Sequence, residues 1–166
     1  MKTGAHSVLA RLRDEEGASI IELAVSCTAL FSMLLGICQL SLGLYAYQFC
    51  SDAARQATRY AMVRGSTSCT NTPSLSNCNA STGNISTYVK GLGYKGITAS
   101  NITVTTTWCS ASSSAPTTWS SCAAGTSNAP GNLVKVAVAY PLSLHIPFAP
   151  QLSLSLGSTS QMVVAQ

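Results

Sequence analysis

From Leu23 to Tyr47 the chain carries no charge, and its apolar residues run without the polar interruptions that a surface helix needs. At about 1.5 Å per residue, a helix of this length more than covers a hydrocarbon core of about 30 Å. One membrane crossing is therefore predicted, and no other stretch is long enough for a second. The run also exceeds the apolar region of a secretory signal, which is about 7–15 residues long. Its end, Leu44-Tyr-Ala-Tyr-Gln-Phe49, is a poor signal-peptidase substrate. The helix should continue beyond the membrane, because Asp52 to Arg64 holds neither Gly nor Pro and consists largely of good helix formers. Gly65 is the natural stop. Along this extension Arg55 and Arg59 share one face and Ala53, Ala57 and Ala61 another. Ser32-x-x-x-Gly36 repeats the small-residue spacing inside the apolar run, and both rows are candidate sites of close helix packing.

After Gly65 the pattern changes. Ser66 to Asn84 is rich in Ser, Thr and Asn and reads as a loop, Ile85 to Leu92 as a short helix ended by Gly91, Gly93 and Gly96. Then the period becomes two. Ile102, Val104, Thr106 and Trp108 alternate with Thr103, Thr105 and Thr107, a half-buried strand. Ser110 to Gly131 is read as a second loop, with Pro116, Cys122 and Pro130 in it. The strongest strand signal follows: Val134, Val136, Val138, Tyr140, Leu142, Leu144 and Ile146 fall on one phase. Pro141 lacks a ladder donor, so this strand is expected either to lie at an edge or to break there. Leu152, Leu154 and Leu156 alternate with Ser153 and Ser155, Gln161 to Val164 extends that strand, and a Pro147-Phe-Ala-Pro150 turn makes the pair antiparallel. The expected class is α+β: a long N-terminal transmembrane helix, then a small exported domain with an antiparallel sheet and disulfide-stapled loops. Its segments are a leader over 1–17, the helix over 18–64, a Ser/Thr-rich region over 65–132 and C-terminal strands over 133–166.

Charge and cysteines set the topology. Only 8 % of residues are charged, about a third of the usual share, and no Asp or Glu follows Asp52. Cations do not decide the orientation, since Lys2, Arg11 and Arg13 precede the apolar run while Arg55, Arg59 and Arg64 follow it. Cysteine usage does. Cys69, Cys78, Cys109 and Cys122 lie in the low-charge C-terminal part, as suits an oxidising compartment, so the leader is placed in the cytoplasm and the domain outside. Four cysteines admit three pairings. Local pairing, Cys69 with Cys78 and Cys109 with Cys122, closes the shortest loops and is the expected one, with a crossed pairing left open. Cys27, Cys38 and Cys50 belong to the helix and read as small packing residues.

The same inventory argues against catalysis. The histidines are His6 in the leader and His145 on a strand, and the exported part has no carboxylate to complete a Ser-His-Asp arrangement or a carboxylate pair. The cysteines are too widely spaced for a typical zinc site. Gly91-x-Gly93-x-x-Gly96 follows a helix and precedes a strand, the wrong context for a phosphate cradle. Asn79, Asn84 and Asn101 sit in Asn-x-Ser/Thr sequons that a Ser/Thr-rich chain produces by chance. Lys90, Lys95 and Lys135, the only charges past Gly65, form no run and are not interleaved with aromatics, so nucleic acid is not an expected partner. No enzyme, metal or cofactor is expected; membrane lipid is.

Glu22 is the one charge between Ala18 and Ser51. A carboxylate at the start of a membrane-length helix is costly and reads as functional. It follows a hydrophilic leader, Arg11-Leu-Arg-Asp-Glu-Glu-Gly17, and stands fifth in a chain that would begin at Ala18. If a cut after Gly17 frees the Ala18 amine, amine and carboxylate stand i and i+4, and the amine of one subunit can neutralise the Glu22 of its neighbour. The arrangement resembles the processing site of type IV prepilins and pseudopilins. With Gly36 late in the apolar run and Ala53-Ala-Arg-Gln-Ala-Thr-Arg-Tyr-Ala61 after it, the stretch from Gly17 to Ala61 resembles the TadE-like pseudopilin family of the tight-adherence (Flp) pilus system. Leu23 stands where processed members often carry Tyr, and Ala18 differs from the Phe of general secretion pseudopilins. The resemblance implies a non-enzymatic, single-pass inner-membrane protein that supports assembly of an adhesive pilus. It further implies a prepilin peptidase that removes the leader on the cytoplasmic face, other pilin or pseudopilin subunits, and the inner-membrane assembly platform as partners. The alternative is a bitopic anchored adhesin or surface-binding module that is never cut at Gly17.

Overall fold

The computed structural model describes residues 5–112, 119–123, 128–144 and 151–165, with side chains from Gly17 onward except at positions 120 and 121. A single helix, α1, runs Ala5–Met62. The chain divides into two compact units, and the boundary within α1 falls between Ser41 and Leu42. From Gly17 to Ser41 the helix presents apolar side chains on all sides: Ile20, Leu23, Val25, Leu30, Met33 and Ile37 are each more than half exposed. An α-helix satisfies its own backbone and is apolar all round when its solvent is lipid. Hydroxyls here bond back onto the helix, Thr28 to the Ala24 carbonyl at 2.7 Å and Ser32 to that of Ala29 at 2.8 Å.

In the second unit the character of α1 changes. Ala46, Phe49, Cys50, Ala53, Ala54, Ala57, Thr58 and Ala61 are buried, recurring every three or four residues, while Asp52, Arg55 and Arg59 stay exposed. The buried stripe faces a four-stranded antiparallel sheet ordered β2-β1-β3-β4, with β1 Thr103–Ala111, β2 Trp119–Ala123, β3 Leu133–Leu144 and β4 Leu152–Val163. Val134, Val136, Val138 and Tyr140 of β3, with Thr106 and Trp108 of β1, form the covered face. The unit also holds α2 Ser68–Asn71, α3 Thr82–Lys90 and a 3-10 turn at Ala99–Asn101, with α3 burying Ile85 and Val89 in the same core. Ser81 caps α3, its side chain accepting from the Asn84 N–H at 3.2 Å. Gly91 ends the helix, and Gly93 (φ +66°) supplies the left-handed turn after it.

The expected α+β class, long helix and antiparallel sheet are all present, and several boundaries differ. The segment read as a loop over 66–84 contains α2, and α3 begins at Thr82 because its cap comes from Ser81 rather than from an apolar residue. The segment read as a loop over 110–131 contains β2, a short edge strand without apolar alternation, paired to β1 through one irregular step between Trp108 and Ser110. Pro141 does not break β3, which stays in register with β4 from Leu133 to Leu144. β3 is central up to Ala139, where β1 pairs with it last; past that point it has a neighbour on one side only. A proline is tolerated in that position for this reason. Leu152 and Leu154 share the sheet face that farther along holds Val136 and Val138, but they are left 56 % and 47 % exposed there, whereas Leu156 is half-buried. Ile146 and the Pro147–Pro150 turn lie outside the described residues, as does His145.

Candidate functional site

The residues that carry the sequence resemblance lie along α1. Gly17 and Ala18 fall inside the helix, Ala18 and Glu22 are exposed, and nothing lies within 4 Å of a side chain built at Gly17. A glycine in a helix interior lowers helix stability by about 1 kcal/mol relative to alanine, so the helix is locally weakened at the Gly17–Ala18 bond. The carboxylate of Glu22 projects from the same face as Ala18, one turn on. Ser32 bonds its own helix and Gly36 has open space around its missing side chain, so this row leaves a shallow notch in an apolar surface.

The second small-residue row has a different surrounding. Ala53, Ala57 and Ala61 are fully buried within the sheet unit, so the helix face that they open is covered by the chain's own strands. Close approach is still what they provide. The Thr58 hydroxyl lies 3.0 Å from the Ser160 hydroxyl of β4, and the Cys50 thiol donates to the Leu156 carbonyl at 3.7 Å. Ser158 and Ser160 occupy core-facing register positions opposite Val138 and Val136, where a larger residue would push α1 away. Cys27 and Cys38 are exposed on the apolar helix, and Cys50 is buried in the core.

The two disulfides join Cys69 to Cys78 and Cys109 to Cys122, which is the local pairing. The first holds the segment after α2, where apolar cover is scarce; the second ties β2 to β1 across the irregular step. Among the described residues no group of three or more His, Cys, Asp or Glu is placed to share an ion.

One feature was not legible in the sequence. Tyr60 of α1 stacks on Tyr88 of α3 with ring centroids 4.4 Å apart, and the Arg64 guanidinium lies 3.9 Å over the Tyr60 ring. With Gln56, Arg59 and Val63 these side chains line an open cleft of about 620 Å³. It offers two guanidinium groups on a domain that has no carboxylate after Asp52. Residues separated by some 28 positions meet here, and no local pattern announces them.

With the helix, its junction residues and its sheet in place, comparison with known proteins is informative at one end of the chain. Residues 17–59 match the TadE-like protein family. The matched stretch opens on Gly17, takes in Glu22, Ser32, Gly36, Ala53 and Ala57, and ends within the stripe that packs on the sheet. No curated protein and no solved structure matches the chain. A TadE-like segment carried on one long apolar helix fits a single-pass membrane protein related to the tight-adherence pilus.

Proposed function

We propose that this chain is a non-enzymatic, pseudopilin-like membrane protein that supports assembly of a tight-adherence pilus. The observation that carries the reading is the coincidence at Gly17. There the match to the TadE-like family begins, the hydrophilic leader ends, and an exposed Glu22 follows five positions on. On this reading a prepilin peptidase cuts between Gly17 and Ala18 on the cytoplasmic face of the inner membrane. The freed Ala18 amine then neutralises Glu22 of a neighbouring pilin or pseudopilin, which offsets a carboxylate penalty of about 2.5–3.5 kcal/mol at mid-membrane and less near the edge. The sheet unit stands outside the inner membrane, an assignment supported by its two disulfides. The inner-membrane assembly platform is the further partner.

Intact mass and N-terminal sequencing of the chain from cells with and without the peptidase test this. The expected product begins at Ala18 only when the peptidase is present, and Gly17→Ala is expected to slow its appearance severalfold. A chain that still begins at Met1 in cells with an active peptidase supports the uncut anchored-adhesin alternative.

A further inference from the structure

The last register pairs of β3 and β4 carry leucines that the core does not use. In register, Leu144 pairs with Leu152 and Leu142 with Leu154, on the face that farther along holds Val134, Val136 and Val138. Leu142 reaches α1: a side-chain carbon built at Gly43 would lie 3.4 Å from its Cδ2. Leu152 and Leu154 nevertheless remain 56 % and 47 % exposed. On the adjoining turns of α1, Leu42 and Tyr45 are exposed on the side of Leu142, and Leu44 and Tyr47 are exposed elsewhere around the helix. Between helix and strands lies an apolar cleft of about 150 Å³, lined by Leu42, Tyr45, Ala46, Ile97, Tyr140 and Leu142, with Lys95 at its edge. Tyr45 donates its hydroxyl to the Lys95 carbonyl at 3.0 Å, so the exposed lysine is held at the level of the tyrosines.

Single exposed leucines are ordinary on a soluble domain; an apolar cleft that joins Leu42 and Tyr45 of the helix to Leu142 of the strand, with a cation at its edge, is not. What surrounds α1 at this level decides what surrounds these strand ends, because Gly43 and Leu142 are in contact. A bilayer core of about 30 Å takes about 20 helical residues. The uncharged run from Leu23 to Tyr47 is longer, so its last turns, Leu42–Tyr47, reach the interface. Tyr45 and Tyr47 are the residue type enriched at that depth. β4 is the edge strand, and its unpaired backbone groups would be costly in hydrocarbon, which limits how deep the strands can sit.

We propose that the leucines of β3 and β4 beside α1 are a second membrane contact, with Leu152 and Leu154 resting in the interfacial layer of the leaflet from which α1 emerges and Lys95 at the level of the lipid phosphates. The proposal rests on α1 being the membrane span. It adds that the sheet unit is held at a defined depth against the bilayer instead of standing clear of it. A second copy of the chain is the competing occupant of the same leucines.

The test uses the full chain in vesicles of phosphatidylcholine and phosphatidylglycerol, with Trp119→Phe as background and Trp108 emission subtracted. Leu154→Trp is compared with Gln161→Trp, a position also exposed on β4 and about 23 Å farther along the strand. Lipids brominated near the top of the acyl chain are expected to quench Leu154→Trp at least threefold more than Gln161→Trp, independently of protein-to-lipid ratio. Equal quenching at both positions overturns the contact. Protection of Leu154→Trp that disappears when protein is diluted in lipid also overturns it and assigns the leucines to a second copy. Alkaline extraction reads α1 separately: a chain that washes off the vesicles sinks the membrane reading itself, whereas a retained chain with equal quenching sinks only the leucine contact.

Discussion

At the scale of single residues, two core hydroxyls show how the same group can help or cost. Thr58 is completely buried on α1, and its hydroxyl meets the Ala54 and Arg55 carbonyls and the Ser160 hydroxyl at 2.9–3.0 Å. It joins helix to strand with its hydrogen-bonding capacity met. Thr106 on β1 is 4 % exposed, and its Oγ1 has no hydrogen-bond partner. An unsatisfied buried hydroxyl costs about 1–3 kcal/mol. Thr106→Val keeps the β-branched shape and removes the polar atom, so it is expected to stabilise the domain by about 1 kcal/mol and raise Tm by about 4–8 °C in a domain of this size. Thermal unfolding of the detergent-solubilised protein measures it, and a lowered Tm would mean that the hydroxyl is partnered after all.

Among elements, α1 does two jobs with one helix, and its side chains change from apolar on every side to a small-residue stripe between Ser41 and Leu42. The alanine row Ala53, Ala57 and Ala61 was readable as a site of close packing. That its partner is the chain's own sheet was not, because spacing within a helix names a face and never the surface that meets it. Ala57→Leu is expected to destabilise the domain by about 1–3 kcal/mol, since the added carbons must push into β3 and β4. A Tm unchanged from wild type would put a gap between helix and sheet. Strand β3 was legible from its alternation and β2 was not: a five-residue edge strand held by a disulfide needs no apolar face.

For the molecule as a whole, the proposed function turns on Glu22, the one charge between Ala18 and Ser51. Glu22→Gln removes that charge while keeping size and polarity. Insertion is expected to be unimpaired, because the charged form is the costly one in lipid. Crosslinking to partner pilins within the membrane is expected to fall severalfold, because an amine from a neighbour no longer finds a carboxylate. Equal crosslinking yields for the two forms would favour an unpartnered glutamate whose charge stays in the headgroup layer. The disulfides act at this scale too, since chain-entropy reasoning assigns about 3 kcal/mol to a loop near the length of either. That is a large share of a small domain's stability.

What this sequence determined alone was whatever depends on neighbours along the chain. The length of the apolar run and the alternation of β3 are of this kind, governed by helix rise and strand period; loop closure favoured the local cysteine pairing, and the structure chose it over the crossed one. Tertiary structure decided what depends on residues distant in sequence. It set the β2-β1-β3-β4 order and covered the alanine row with the chain's own strands. It also brought Tyr60 onto Tyr88 and left Leu152 and Leu154 uncovered beside the end of the apolar helix. The physical reason is common to all of these: burial is decided by which surfaces meet, and a periodic pattern specifies one surface at a time.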